Sequence, residues 1–379
     1  MPHTGTTQPR PPAPPAGRVP GARVLVVSGS VGAGHDGAAR ELAARLAAVG
    51  VSAPVRDFLH AVPPPVRWAL REGYSTSVQF VPGTFELLFQ RLERRGLSWR
   101  IARAVCAAAE ATMLHWVDEL CPDVVVSTYP LASQTLGSLR GSGRLAAPVI
   151  TYLTDPAVHV SWLHEAVDQH LTVGAATADQ SWSDYGQECM VAGPLVPARF
   201  AEPPGLGRLA ELRRELGLQA AQPVALLVAG SLGLGDLLPT VRDVAAAGFV
   251  PLVLCGRNDR LRRRLAGEPQ AVALGWRTDV DQLMQLADVL VQNAGGLSST
   301  EALVAGLPMV TYRPIPGHGR ANARVMEGSG QAPWARTPAQ LADVLHAQLG
   351  SLRTPPALDD PTVLVLAALR RNPVAVAAA

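Results

Sequence analysis

Short runs of branched apolar residues alternating with Ala-, Leu- and Arg-rich stretches constrain the fold of this chain more than any other feature. RVLVVS, VSAPVRDF, DVVVST, APVITYLT and DQHLTV succeed one another between residues 23 and 173, separated by stretches such as AARELAARLAAV with helical spacing. A strand that is apolar on both faces must be covered on both faces. The alternation therefore predicts a parallel sheet flanked by helices. The pattern pauses at VAGPLVPARFAEPPG (191–205), where four prolines cluster, and restarts with VALLVAG, VPLVLCG, AVALGW, DVLVQN and PMVTYR. We read two doubly wound α/β halves joined near residue 200. A Pro-rich disordered tail is expected over 1–20, a first domain over 21–197 and a second over 198–379, the last ending in a helix begun by Asp360 and Pro361. Ligands of such folds bind in the crevice outside the carboxyl ends of the strands.

Composition removes several chemistries. All 33 basic residues are Arg, so a Schiff-base lysine and a P-loop lysine are absent. A net charge of +2 is too small to predict a nucleic-acid partner. Cys106, Cys121, Cys189 and Cys255 lie far apart without CxxC spacing, which predicts reduced thiols and neither a zinc site nor a disulfide framework. No window reaches the roughly 20 apolar residues of a membrane span, and residues 1–20 lack the apolar stretch of a secretory signal. The expected location is cytoplasmic, with peripheral contact to the inner face of the cell membrane.

Each half places a glycine loop between a strand and a helix. The first, VLVVSGSVGAGHDG, carries Gly29, Gly32 and Gly34 followed by His35; the second, LLVAGSLGLGD, carries Gly230, Ser231, Gly233 and Gly235. A nicotinamide enzyme would use Asp57 on its ribose, but the first loop reads G-x-x-G-x-G, which is not the dinucleotide order. The second half also contains NAGGLSSTEALVAGLP (293–308), in which Gly295 and Gly296 precede a helix. The first amides of a helix have no partner inside it, so this start is a candidate diphosphate site. Ser298-x-x-Glu301 also has the spacing of a capping box, compatible with that role.

Four stretches together resemble the diacylglycerol glycosyltransferases: SGSVGAGHDGAARELA, TDPAVHVSWLHEAVDQHLTVG, VLCGRND and NAGGLSSTEALVAGLPMVTYRPIPGHGRAN. That family comprises plant monogalactosyldiacylglycerol synthases and bacterial diacylglycerol glucosyltransferases and is related to the peptidoglycan N-acetylglucosaminyltransferase. The resemblance spans about residues 23 to 336. It implies the GT-B fold, two Rossmann-like domains facing across a cleft, and inverting transfer of a hexose from a UDP-sugar to a lipid hydroxyl without a metal. It further implies Glu301 as the ribose ligand, and Ser298, Ser299, Gly295, Gly296, Gly34, Gly230 and Ser231 around the diphosphate. Arg257, Asn258 and Trp276 are then expected to line the uracil and pyrophosphate, and His318 and Asn322 to meet the donor sugar. Pro316-Gly317-His318-Gly319 departs from the Pro-Gly-Gln-Glu common in the family, which leaves the hexose open.

On the acceptor side, His35 is the expected base, with Asp155 or His159 either serving as base or holding the His35 tautomer. Tyr129 is expected to line the same side. Asp155, His159 and His164 match no standard metal spacing, and Asp279-Val280-Asp281 opens a helix, where capping is expected. Residues 83–105 interleave apolar side chains with five arginines, as a membrane-surface helix or an amphipathic core helix would. The expected partners are a UDP-sugar, a lipid acceptor and an anionic membrane surface. Transfer to a polyprenyl-linked or natural-product acceptor, and a non-catalytic nucleotide-sugar- or lipid-binding protein, are the alternatives.

Overall fold

A computed structural model of the chain describes residues 21–80, 96–202, 204–228, 235–350 and 359–371. Two six-stranded parallel sheets are present. Strands β1 (Val24–Ser28), β2 (Val55–Asp57), β3 (Val124–Ser127), β4 (Val149–Tyr152), β5 (Gln169–Thr172) and β6 (Met190–Val191) stand in the order β2-β1-β3-β4-β5-β6. In the second sheet, β7 (Val224–Val228), β8 (Val250–Leu254), β9 (Val272–Leu274), β10 (Val289–Gln292), β11 (Met309–Tyr312) and β12 (Trp334–Ala335) stand in the order β12-β11-β10-β7-β8-β9. Each strand run picked out by branched residues is thus a strand, the two-residue edge strands β6 and β12 being the ones the pattern did not pick out, and β1, β3, β4, β10 and β11 are buried along their whole length.

Each order reverses direction once, between β1 and β3 in the first sheet and between β7 and β10 in the second. Helices leave on opposite faces at such a point, and a crevice opens above the strand ends. The residues after β1 and β3 and those after β10 therefore look into the space between the domains. Each sheet is sandwiched by apolar clusters on both faces. In the first, Leu42 and Leu46 of the opening helix (Ala33–Ala48) pack below, and Leu136 and Leu139 of the Pro130–Gly141 helix pack above.

The final helix (Pro361–Arg371) corrects the expected domain grouping. Asp360 accepts from Thr362 N at 2.9 Å, as an N-terminal cap should, but Val365, Ala368 and Leu369 enter the core of the first domain beside Val24 and Leu46. The chain thus crosses between domains twice. The crossings touch where the positive-φ Gly193 leaves no room for a Cβ beside the Asp359 carbonyl, and Arg45 bonds both Asp360 (3.0 Å) and the Val196 carbonyl (2.6 Å).

Candidate active site

Two cavities open in the interdomain crevice and share His35, Asp155 and His318. The larger, about 850 Å³, is walled by Leu70, Trp99, Cys106, Tyr129 and Leu131 of the first domain. The other, about 690 Å³, runs over Gly295, Gly296, Ser298 and Glu301 toward Trp276 and Arg277. Group transfer between two bound molecules needs such a junction, because the reacting atoms must meet while the rest of each molecule occupies its own space.

His35 stands in the first turn of the opening helix, held at its backbone by Thr128 Oγ1, which donates to its carbonyl (3.0 Å). Its ring is held by a 3.0 Å hydrogen bond between Nδ1 and Thr154 Oγ1, in which Nδ1–H donates when Nε2 is the free acceptor. Tyr129 and Trp162 flank the ring with centroids 5.2 and 5.7 Å away. Burial lowers the imidazole pKa and Asp155 opposes that shift, so His35 is neutral near pH 7 and ready to accept a proton. His318, at the start of the His318–Gly328 helix, is likewise lowered by burial with Asp155 opposing. Asp155 accepts from Trp162 Nε1 (3.3 Å) and Asn322 Nδ2 (3.4 Å). His159 and Tyr129 line the larger cavity, and the His159 Nδ1 accepts from Ser161 N at 3.2 Å to cap a short helical turn.

On the other side, the Gly296–Val304 helix begins with Gly295 as N-cap and no side chain on its first amides. The expected capping box is therefore not formed: Ser298 lies inside the helix, and the residue lines the cavity. Ser299 and Thr300 turn their hydroxyls back to the carbonyls of Gly295 (2.7 Å) and Gly296 (2.8 Å). Burial raises the Glu301 pKa to about 8, with Arg199 lowering and Asp281 raising it. Gln292, fully buried at the end of β10, shapes the turn. Its Oε1 accepts from Ala294 N (2.6 Å) and Ser299 Oγ (3.1 Å), holding Ala294 at φ 69°. Sequence reasoning missed Gln292, Thr154, Trp162 and Arg199; a polar residue ending an apolar strand was the one signal for Gln292.

Several expected residues are otherwise engaged. Gly296 is bare because the Thr154 carbonyl of the first domain lies against it, and a Cβ at Gly37 would stand 3.2 Å from the Leu297 side chain, so these two glycines serve close domain approach, whereas Gly34 meets Leu297 only at an ordinary 3.6 Å. Gly29 gives room to the Tyr129 ring. Asn258 caps the Asp259–Leu265 helix by accepting from Leu261 N at 2.9 Å, and Arg257 stacks on the exposed Trp276 at 4.6 Å. Neither lines the cavity, whereas Trp276 does. Asp279 begins its helix yet pairs with Arg277 (Nε at 2.7 Å) and caps no amide. Asp57 accepts from Ser30 and Leu59 within its own domain. Gly230, Ser231, the 1–20 tail and residues 83–95 lie outside the described residues. The four cysteines are free, and no group of three or more metal-ligating side chains occurs among the described residues.

Residues 35–186 match the model of the monogalactosyldiacylglycerol (MGDG) synthase family. The chain is 27% identical over 225 residues to a processive diacylglycerol β-glucosyltransferase of Bacillus pumilus, an alignment covering 56% of this chain and 56% of that enzyme, little more than half its length. The structure is similar to Acinetobacter baumannii MurG (TM-score 0.57, 17% identity, 93% of this chain and 100% of that one). It is also similar to Anabaena HepE in complex with UDP and glucose (TM-score 0.53, 12% identity, 94% and 99%). Two six-stranded parallel sheets in this order, shared over nearly the whole chain with such proteins, constitute the GT-B fold, and within it residues 35–186 are similar to the MGDG synthase family.

Proposed function

We propose that the protein is a glycosyltransferase that moves a hexose from a UDP-sugar to the hydroxyl of a diacylglycerol-type lipid, inverting the anomeric carbon and using no metal. The observation that carries this reading is the meeting of the two cavities at His35, Asp155 and His318. An acceptor hydroxyl in the larger cavity gives its proton to His35 Nε2, the ring nitrogen opposite the one held by Thr154, while its oxygen bonds to the anomeric carbon. The bond from that carbon to the diphosphate breaks, its electron pair leaves with UDP, and attack and departure from opposite faces invert the centre. The unpartnered amides at the start of the Gly296–Val304 helix stabilise the negative charge gained by UDP, which is what a metal would otherwise do. Asp155 stabilises the imidazolium.

The similarity to a diacylglycerol glucosyltransferase and to a UDP-bound protein supports lipid and donor. The apolar walls of the larger cavity, with Leu97, Ile101 and Trp68 exposed at 72%, 58% and 69% on the helices that form it, support a lipid surface as the source of acceptor. Purified protein, UDP-glucose or UDP-galactose, and vesicles containing diacylglycerol should yield a glycolipid of inverted anomeric configuration, in excess EDTA as well as without it. No glycolipid from either donor would sink the lipid reading, and product from a polyprenyl-linked or natural-product acceptor would redirect it. Turnover lost in EDTA and restored by manganese would overturn the metal-free mechanism.

A further inference from the structure

The Asp155 carboxylate is gripped from both domains. Trp162 of the first donates Nε1–H to Oδ2 at 3.3 Å, and Asn322 of the second donates Nδ2–H to Oδ1 at 3.4 Å. Asn322 is fully buried, and the rest of its carboxamide is committed. Its Oδ1 accepts from Ala157 N at 2.9 Å, and its Nδ2 also donates to the Ala294 carbonyl at 3.0 Å. One side chain thus ties the acceptor-side loop at 155–157 to the left-handed turn that precedes the Gly296–Val304 helix. A carboxamide used in this way has no spare donor for a sugar hydroxyl, the role first expected of Asn322.

The charged and titratable groups around this point are His35 with Asp36 on the opening helix, Asp155 on its loop, and His318 on the helix that carries Asn322. Asp155 acts on both imidazoles, so its placement sets how readily His35 takes a proton. Resting on the reading of His35 as acceptor base, we propose that Asn322 and Trp162 are positioning residues. Each fixes one oxygen of Asp155, and because they come from different domains the base is fully assembled only when the cleft is closed. At 3.3 and 3.4 Å these bonds are expected to tighten around bound substrates, as catalytic hydrogen bonds do.

The test uses the full chain with isotopically labelled histidine, the His35 signal being identified with His35→Gln. In Asn322→Ala and in Trp162→Phe, the His35 imidazole should titrate at lower pH than in the wild type, because the carboxylate that raises its pKa is no longer held. Turnover with UDP-hexose and diacylglycerol vesicles should fall about tenfold or more, and the acid limb of the kcat profile should move to lower pH. Calorimetric UDP affinity should stay within about twofold, since neither side chain lines the UDP-side cavity. Trp162→Phe keeps an aromatic ring against Leu153 and Val158 and stands in if Asn322→Ala fails to fold. A folded variant with an unmoved His35 titration, or one whose UDP affinity falls as far as its kcat, overturns the proposal. The titration needs no turnover, so it decides the matter even where no lipid is glycosylated, an outcome that would instead count against the proposed reaction.

Discussion

Glu301 shows how far a single residue can be read before its surroundings are known. Its place, one turn into a helix after two glycines, is legible in sequence, but its proton affinity is not, because that depends on burial and on Arg199 and Asp281 arriving from distant segments. With its pKa pushed up to about 8 by burial, Glu301 is mainly protonated at pH 7 before UDP binds. A carboxylate that accepts both ribose hydroxyls must lose that proton on binding. UDP affinity should therefore rise between pH 6 and 8 and level off above, with proton release visible as a dependence of the calorimetric heat on buffer. Glu301→Gln should abolish that dependence and weaken UDP by about 1.5 to 3 kcal/mol; equal affinity at every pH would remove Glu301 from the ribose. His170 gives a complementary case. It is 2% exposed with Nδ1 unpartnered, and burial lowers its pKa to about 4. The unfolded chain binds the extra proton between 6.5 and 4, so stability is lost as pH falls through that window, by about 3 kcal/mol in all. Thermal melts of His170→Gln should lose that part of the acid dependence.

At the scale of elements, the glycines changed meaning most between sequence and structure. The strand-to-helix handover at 293–296 is legible because branched residues stop at Gln292 and bare backbone begins. The cause of the bareness is not, since the atom that forbids a side chain at Gly296 is the carbonyl of Thr154, about 140 residues away in sequence and in the other domain. Helix–strand spacing cannot report a contact between sheets. Gly296→Ala should therefore prop the domains apart, lowering turnover by about tenfold or more while leaving UDP affinity within a few-fold. Gly34→Ala is the control, because its Cβ would meet Leu297 Cβ at an ordinary 3.6 Å. Equal turnover by both variants and the wild type would show that this close approach plays no part in the reaction. Residues 83–105 read as one amphipathic stretch in sequence; of these the described residues 97–105 open the helix Leu97–Leu120, whose exposed Leu97 and Ile101 depend on which face the neighbouring helices leave open. Changing both to Asp should abolish flotation with anionic liposomes and spare UDP binding; unchanged flotation would remove this helix from the membrane contact.

For the whole molecule, two α/β halves and their junction near residue 200 follow from the strand rhythm and the proline cluster, because both depend on local sequence. The return of the last helix to the first domain does not, because Val365 and Leu369 would suit either core. That return bears on how the protein comes into being. The first domain emerges from the ribosome with part of its core missing, and the missing piece is made only after the whole second domain. At about 5 to 20 residues per second, the segment from 198 to 371 takes on the order of 10 to 30 s. For that time the surface around Val24, Leu46 and Ile150 awaits its cover, although Val24 and Leu46 are fully buried in the finished protein. A nascent chain stalled near residue 200 should be protease-sensitive and bound by chaperones, and release of a chain ending at residue 350 should leave it aggregation-prone. Supplying residues 359–371 as a separate peptide should restore protection, making the arrival of the Pro361–Arg371 helix, and not the appearance of the first domain, the step that commits this protein to its fold.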